Sequence, residues 1–165
     1  MQLKRSSILA LAILAGLTAL AAEPEQKTLK TFTTADHTIS KALNAKGDAW
    51  IVKSSTNQVI RLFEVSEPAV EDCMLIYRAK LKTEDLSGPA YLEMWCRFPK
   101  FGEAFSRGLD NQVTGSNDWA SYQTPFFLKK GEKPDLVKLN VVVRGTGKVW
   151  IKDVELLKAP LPETK

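Results

Sequence analysis

Histidine and cysteine are scarce: the chain has one histidine, His37, and two cysteines, Cys73 and Cys96. A Ser–His–Asp or Cys–His centre would have to use His37, which lies in the polar run Thr33-Thr34-Ala35-Asp36-His37-Thr38 and reads as an exposed turn; no Gly-x-Ser-x-Gly elbow accompanies it. The two cysteines stand alone rather than as Cys-x-x-Cys, so a zinc centre lacks ligands and the expectation is no metal and no cofactor. No block of like charge occurs, and the pI near 9.0 reflects interspersed Lys and Arg, which argues against a nucleic-acid partner. Internal repeats are absent, as are apolar residues sustained at i, i+3, i+4, i+7 over three turns, so helix is expected to be minor.

What the chain does have begins with basic Lys4 and Arg5, the apolar run Ile8 to Leu17, and Ala19-Leu20-Ala21 as a small-x-small cleavage site. Residues 1–21 therefore read as a cleavable signal peptide, and the mature protein is expected in a periplasmic or extracellular space. The uncharged stretch Ser6 to Ala22 is interrupted by Ser6, Ser7, Gly16 and Thr18 and falls short of the roughly 20 apolar residues that span a bilayer. No second hydrophobic run follows, so no membrane span is expected after cleavage. Cleavage removes two positive charges and leaves 21 basic against 19 acidic residues. The remainder suits one domain: a flexible leader at 22–27, a folded domain at 28–158, and a flexible tail at 159–165 carrying Pro160 and Pro162.

Strand signals recur at Thr28–Thr34, Ala49–Ser54, Gln58–Val65, Met74–Lys82, Ala90–Phe98, Ser121–Leu128, Val137–Arg144 and Lys148–Leu157. Leu75, Tyr77, Ala79 and Leu81 alternate with Arg78, Lys80 and Lys82; Leu92, Met94, Cys96 and Phe98 alternate with Tyr91, Glu93, Trp95 and Arg97. Gly88-Pro89 suits a hairpin turn between these two strands, setting Leu81 opposite Ala90 and Cys96 opposite Leu75; Cys73 and Cys96 are then either bonded or two buried thiols. Gly145-Thr146-Gly147 predicts a second hairpin, with Val141, Val143, Val149 and Ile151 buried. The segment Pro99–Asp118 lacks periodicity and reads as an ordered loop with one helical turn at Glu103–Ser106. Short antiparallel strands with one apolar face each predict an all-β, two-sheet antiparallel β-sandwich.

From Trp119 to Leu157 the chain resembles the C-terminal half of galactose-binding-like jelly rolls, the fold of many carbohydrate-binding modules. The resemblance rests on Trp119, Tyr122 and Phe126-Phe127, on Leu139-Asn140-Val141-Val142-Val143, and on Gly145-Thr146-Gly147-Lys148-Val149-Trp150-Ile151-Lys152-Asp153-Val154-Glu155-Leu156. The last stretch is similar to a closing strand of the form Gly-x-(Val or Trp)-x-Ile-Asp-Asp-Val-x-Leu. The resemblance implies a jelly roll and a carbohydrate partner. Lys152 stands where the group's first Asp would help hold calcium, which is unfavourable for a dication and leaves only Asp153.

Surface aromatics carry the functional expectation. Tyr91 and Trp95 share a face with Glu93 and Arg97, and Arg78 falls near them if the two strands pair; flat rings beside charged hydrogen-bonding groups are what a sugar ring requires. The competing reading covers Trp95 with the Pro99–Asp118 segment or with the N-terminal segment, and if Trp95 is packed, Phe105, Arg107 and Asp110 become the candidates. Glu64, Glu93, Asp118 and Asp153 are the acids that a carboxylate-pair hydrolase would recruit. The leading expectation is an exported, non-catalytic binding module for carbohydrate or another extracytoplasmic polymer; a protein–protein or envelope-structural domain is second and an enzyme third.

Overall fold

A computed structural model describes residues 25–163; the expected signal peptide lies outside the described residues. Nine strands make up the domain: β1 (Lys27–Phe32), β2 (Asn44–Lys46), β3 (Ala49–Ser54), β4 (Gln58–Ser66), β5 (Cys73–Phe98), β6 (Gly102–Arg107), β7 (Val113–Leu128), β8 (Leu136–Val143) and β9 (Gly147–Ala159), with a short 3-10 turn at Leu109–Asn111. Every pairing is antiparallel, and the strands form the two-sheet sandwich that the alternation predicts. All nine strands are hydrogen-bonded into one continuous sheet that folds over at β5, so that its two layers serve as the two sheets of the sandwich: the first runs β2-β3-β9-β5-β7, with β1 also on β9, and the second runs β4-β8-β5-β6. Strand β5 belongs to both.

The 26 residues of β5 replace the expected hairpin. Its first half turns Leu75, Tyr77, Ala79 and Leu81 to the core, and its second half turns Leu92, Met94, Cys96 and Phe98 to the same core from the other sheet. Between them the strand bends instead of reversing: Asp85 takes a φ of 51°, and the pairing with β7 slips at Leu81/Thr83, Thr83/Leu86 and Leu86/Ala90. At Gly88 any Cβ would strike the carbonyl of Arg144, whose own N–H donates to Pro89 O at 2.8 Å. Gly88-Pro89 is thus a corner where two chain segments touch, not a turn. Leu81 faces Ala120 and Ile151, and Cys96 faces Ala104 and Val137. Both cysteines are buried free thiols.

Two further expectations are corrected. β8 and β9 lie in different sheets, so Gly145–Gly147 carries the chain across the sandwich. Gly147 has φ +139°, and a Cβ there would sit 2.7 Å from Leu86 Cα, so the crossing is pressed against the β5 corner. Val141, Val143, Val149 and Ile151 are nonetheless all fully buried, because each strand still turns its apolar row inward. Within Pro99–Asp118 the structure places β6, the 3-10 turn and the start of β7; Glu103–Ser106 is strand, not helix. β6 flanks β5 at an edge and is almost wholly exposed, so no apolar alternation marks it in the sequence.

One core joins both sheets. Ile60, Leu62, Leu75, Leu81, Leu92, Met94, Leu139, Ile151 and Leu156 are each fully buried, at about 1.5–3 kcal/mol apiece relative to exposure. Tyr77 is fully buried among them, and its hydroxyl has no hydrogen-bond partner.

Candidate functional site

The outer face of the second sheet is set by register. Glu93 on β5 stands between Arg107 on β6 and Asn140 on β8; Trp95 stands between Phe105 and Lys138; Arg97 stands opposite Glu103. Strand β4 adds Arg61 beside Asn140, and Val59 beside Val142. Of these, Val59, Arg61, Glu93, Trp95, Glu103, Arg107, Lys138 and Asn140 line an open cleft of about 290 Å³ that also reaches Arg144.

Glu93 organises the cleft. It is 3% exposed, yet it accepts three hydrogen bonds: Oε1 accepts from Trp95 Nε1 at 2.8 Å and from Asn140 Nδ2 at 3.2 Å, while Oε2 accepts from Arg107 Nε at 2.6 Å. Burial pushes its carboxyl up, but the bonds from Arg107, Trp95 and Asn140 and the Arg107 charge together hold it below the usual glutamate range. A buried carboxylate of this kind fixes the donors around it. The indole of Trp95 is therefore aimed by Glu93 and lies tilted against Phe105, with centroids 4.9 Å apart. Arg107 spreads over the other ring at 4.2 Å. Phe105 remains 48% exposed. Around the rim Lys138 pairs with Glu103 at 2.6 Å, Arg61 with Glu64 at 2.5 Å, and Arg97 grips Asp135 through two bonds of 2.9 and 3.0 Å. That grip holds the Asp135 carboxyl below its usual range.

The residues predicted from sequence divide between the sheets. Trp95, Glu93 and Arg97 share this face as the alternation requires. Tyr91 points the same way but is only 5% exposed, so it offers no ring to a ligand. Arg78 lies on the first half of β5, opposite Gln123 and Glu155, on the outer face of the first sheet; the corner in β5 separates it from Trp95. Phe105 and Arg107 do reach the site, and Phe105 does cover one side of Trp95, whereas Asp110 falls in the 3-10 turn. Arg61, Lys138 and Asn140 were not foreseen, because only the pairing of β5 with β8 and of β8 with β4 brings them in.

Each acid considered for hydrolysis is engaged by a cation. Glu64 meets Arg61, Glu93 meets Arg107, Asp118 meets Lys82 and Asp153 meets Lys80. No group of three or more His, Cys, Asp or Glu positioned for a metal ion occurs among the described residues. Asp153 adopts a φ of 50° at a bend in β9, with its carboxylate 2.9 Å from the Lys80 ammonium.

Fold and face together define an antiparallel β-sandwich bearing an aromatic, hydrogen-bonding cleft on one sheet. No protein-family model and no curated protein matches the chain. Among solved structures it is similar to the CBM22-1 xylan-binding domain from Paenibacillus barcinonensis Xyn10C, at 11% identity over 86% of this chain and 100% of that one, with a TM-score of 0.49. A CBM29-2 variant complexed with mannohexaose matches at 10% identity over 84% and 94%, TM-score 0.49. A family 16 carbohydrate-binding module matches at 10% identity over 72% and 82%, TM-score 0.46.

Proposed function

We propose that the protein is an exported, non-catalytic carbohydrate-binding module whose saccharide lies across the outer face of the second sheet. The observation that carries this reading is the Glu93-centred array: a buried carboxylate accepting three hydrogen bonds holds Trp95 and Arg107, and Arg107 covers Phe105 in turn, leaving one ring half exposed beside a cleft of charged and amide groups. Pre-set rings present a flat apolar surface to sugar C–H groups without an ordering cost, while Arg61, Lys138 and Asn140 supply hydroxyl partners. Export follows from the N-terminal pattern of Lys4, Arg5, the apolar run and Ala19-Leu20-Ala21.

A glycan array followed by calorimetry on the best ligand tests the reading. Phe105 is exposed enough that Phe105→Ala should leave melting almost unchanged while weakening binding about tenfold or more. An array with no hit, or a Phe105→Ala variant that binds like the parent, would discard the site. Recovery of the protein from the periplasm or medium with an N-terminus at Ala22 tests export; a retained N-terminus refutes it.

A further inference from the structure

The other outer face carries a larger opening, and its cause is topological. One edge of β9 is shared between two strands laid end to end: β3 pairs with Gly147–Ile151 and β1 with Val154–Lys158. Lys152 and Asp153 fall in the gap and have no strand partner on that edge. Asp153 is forced to a φ of 50°, a conformation that L side chains other than Asn and Asp rarely accept and that marks functional positions more often than chance. The gap opens into a cleft of about 510 Å³ on the side of the molecule away from Trp95.

The walls are polar and pre-set. Thr34 Oγ1 donates to Gly47 O at 3.0 Å, tying the loop after β1 to the β2–β3 hairpin, and Asp48 at that hairpin meets Lys152 at 2.9 Å. On the floor Lys80 meets Asp153 at 2.9 Å, Arg78 leans on Gln123, and Ser121 and Glu155 face the space between. Beyond the lining, the Lys152 ammonium sits 4.6 Å above the ring of Trp119, two residues along β7 from Ser121.

We propose that this cleft is a second saccharide site, one for a neutral, hydroxyl-rich sugar. Arg78, Lys80 and Lys152 balance Asp48, Asp153 and Glu155, so a ligand of strong charge gains no net attraction. A hydroxyl both donates and accepts and can bridge a Lys–Asp pair. The Lys80–Asp153 pair is about half exposed and the Asp48 carboxylate of the other pair is exposed, so these pairs contribute little to folding and a ligand can rearrange them without loosening the domain. With the Trp95 face on the opposite sheet, the module would hold two glycan segments at once.

Residue-resolved NMR on the isotope-labelled protein, titrated separately with xylohexaose, mannohexaose and cellohexaose, tests this without presuming the first site. The expected result is saturable movement of the Thr33, Lys80, Ser121 and Asp153 amides with at least one sugar. Lys80→Ala and Ser121→Val, each checked for parental melting, should weaken that response about tenfold or more while signals from Trp95 and Phe105 respond as before. Saturable shifts confined to the Trp95 face, no shift near Lys80 with any of the three sugars, or an unchanged response in both variants would overturn the proposal. Shifts near Lys80 with none near Trp95 would uphold it and instead remove the site proposed on the second sheet.

Discussion

Replacing Glu93 by glutamine keeps the shape of the side chain and removes one charge and one acceptor. Three N–H groups reach the carboxylate, two on Oε1 and one on Oε2. The amide can keep its oxygen toward Trp95 and Asn140 only by turning its NH₂ against Arg107 Nε. That arrangement costs less than the reverse, because Arg107 is about one-third exposed and can turn to water, whereas Asn140 is buried. The loss is one charge-assisted hydrogen bond, offset in part by rehydration of Arg107, so about 2 kcal/mol. In a domain of this size that corresponds to a fall in melting temperature of about 6–10 °C at pH 7. The pH dependence has a definite sign. Glu93 is held below its ordinary pKa of 4.5, so its ionised form stabilises the fold above that value, and the contribution is lost as pH falls through the lower, folded value. Glutamine has nothing to lose there, and the gap between parent and Glu93→Gln should narrow in acid. Scanning calorimetry of both proteins at pH 7 and near pH 3 measures it. A gap under about 2 °C at pH 7, or one that widens in acid, would refute the account of Glu93 as an ionised anchor.

Tyr77→Phe removes a buried hydroxyl that has no partner, so melting should rise, by about 1 kcal/mol in free energy; a fall would mean that the hydroxyl is bonded to an internal water. Burial pushes the Cys96 thiol up to about 12, so the native protein should resist iodoacetamide at pH 8 at this position, and labelling of Cys96 within minutes would contradict its burial. In denaturant without reductant, thiol titration should find two groups per chain; none would indicate a Cys73–Cys96 bond.

Alternation was legible wherever a strand has one wet and one buried face. It identified both halves of β5 and placed Trp95, Glu93 and Arg97 together. Connectivity was not legible in the same residues, since a Gly-Pro pair satisfies a reversal and a corner equally well; what selects the corner is the approach of Arg144 to Gly88, a contact between segments far apart in sequence. Misreading that corner put Arg78 beside Trp95 when the two lie on different sheets. β6 escaped notice for the opposite reason, having no buried face to alternate against. Tyr91 was assigned the correct face but the wrong environment, because the burial of an outward residue depends on its lateral neighbours, here Val142 on β8, and these follow from pairing rather than from pattern.

The continuous β5 strand bears on how the chain folds. Because it supplies central pairings to both sheets, neither sheet can be completed before the chain has turned the Asp85–Gly88 corner, and the loss of either half exposes apolar rows of the other. Partial unfolding one sheet at a time is therefore disfavoured, and protection against amide exchange should be lost from β8 and β9 together, at a single free energy, despite their sharing no hydrogen bonds. The same long-range pairings must close large loops before they bring any stability, which places refolding on the millisecond-to-second scale rather than the microsecond one.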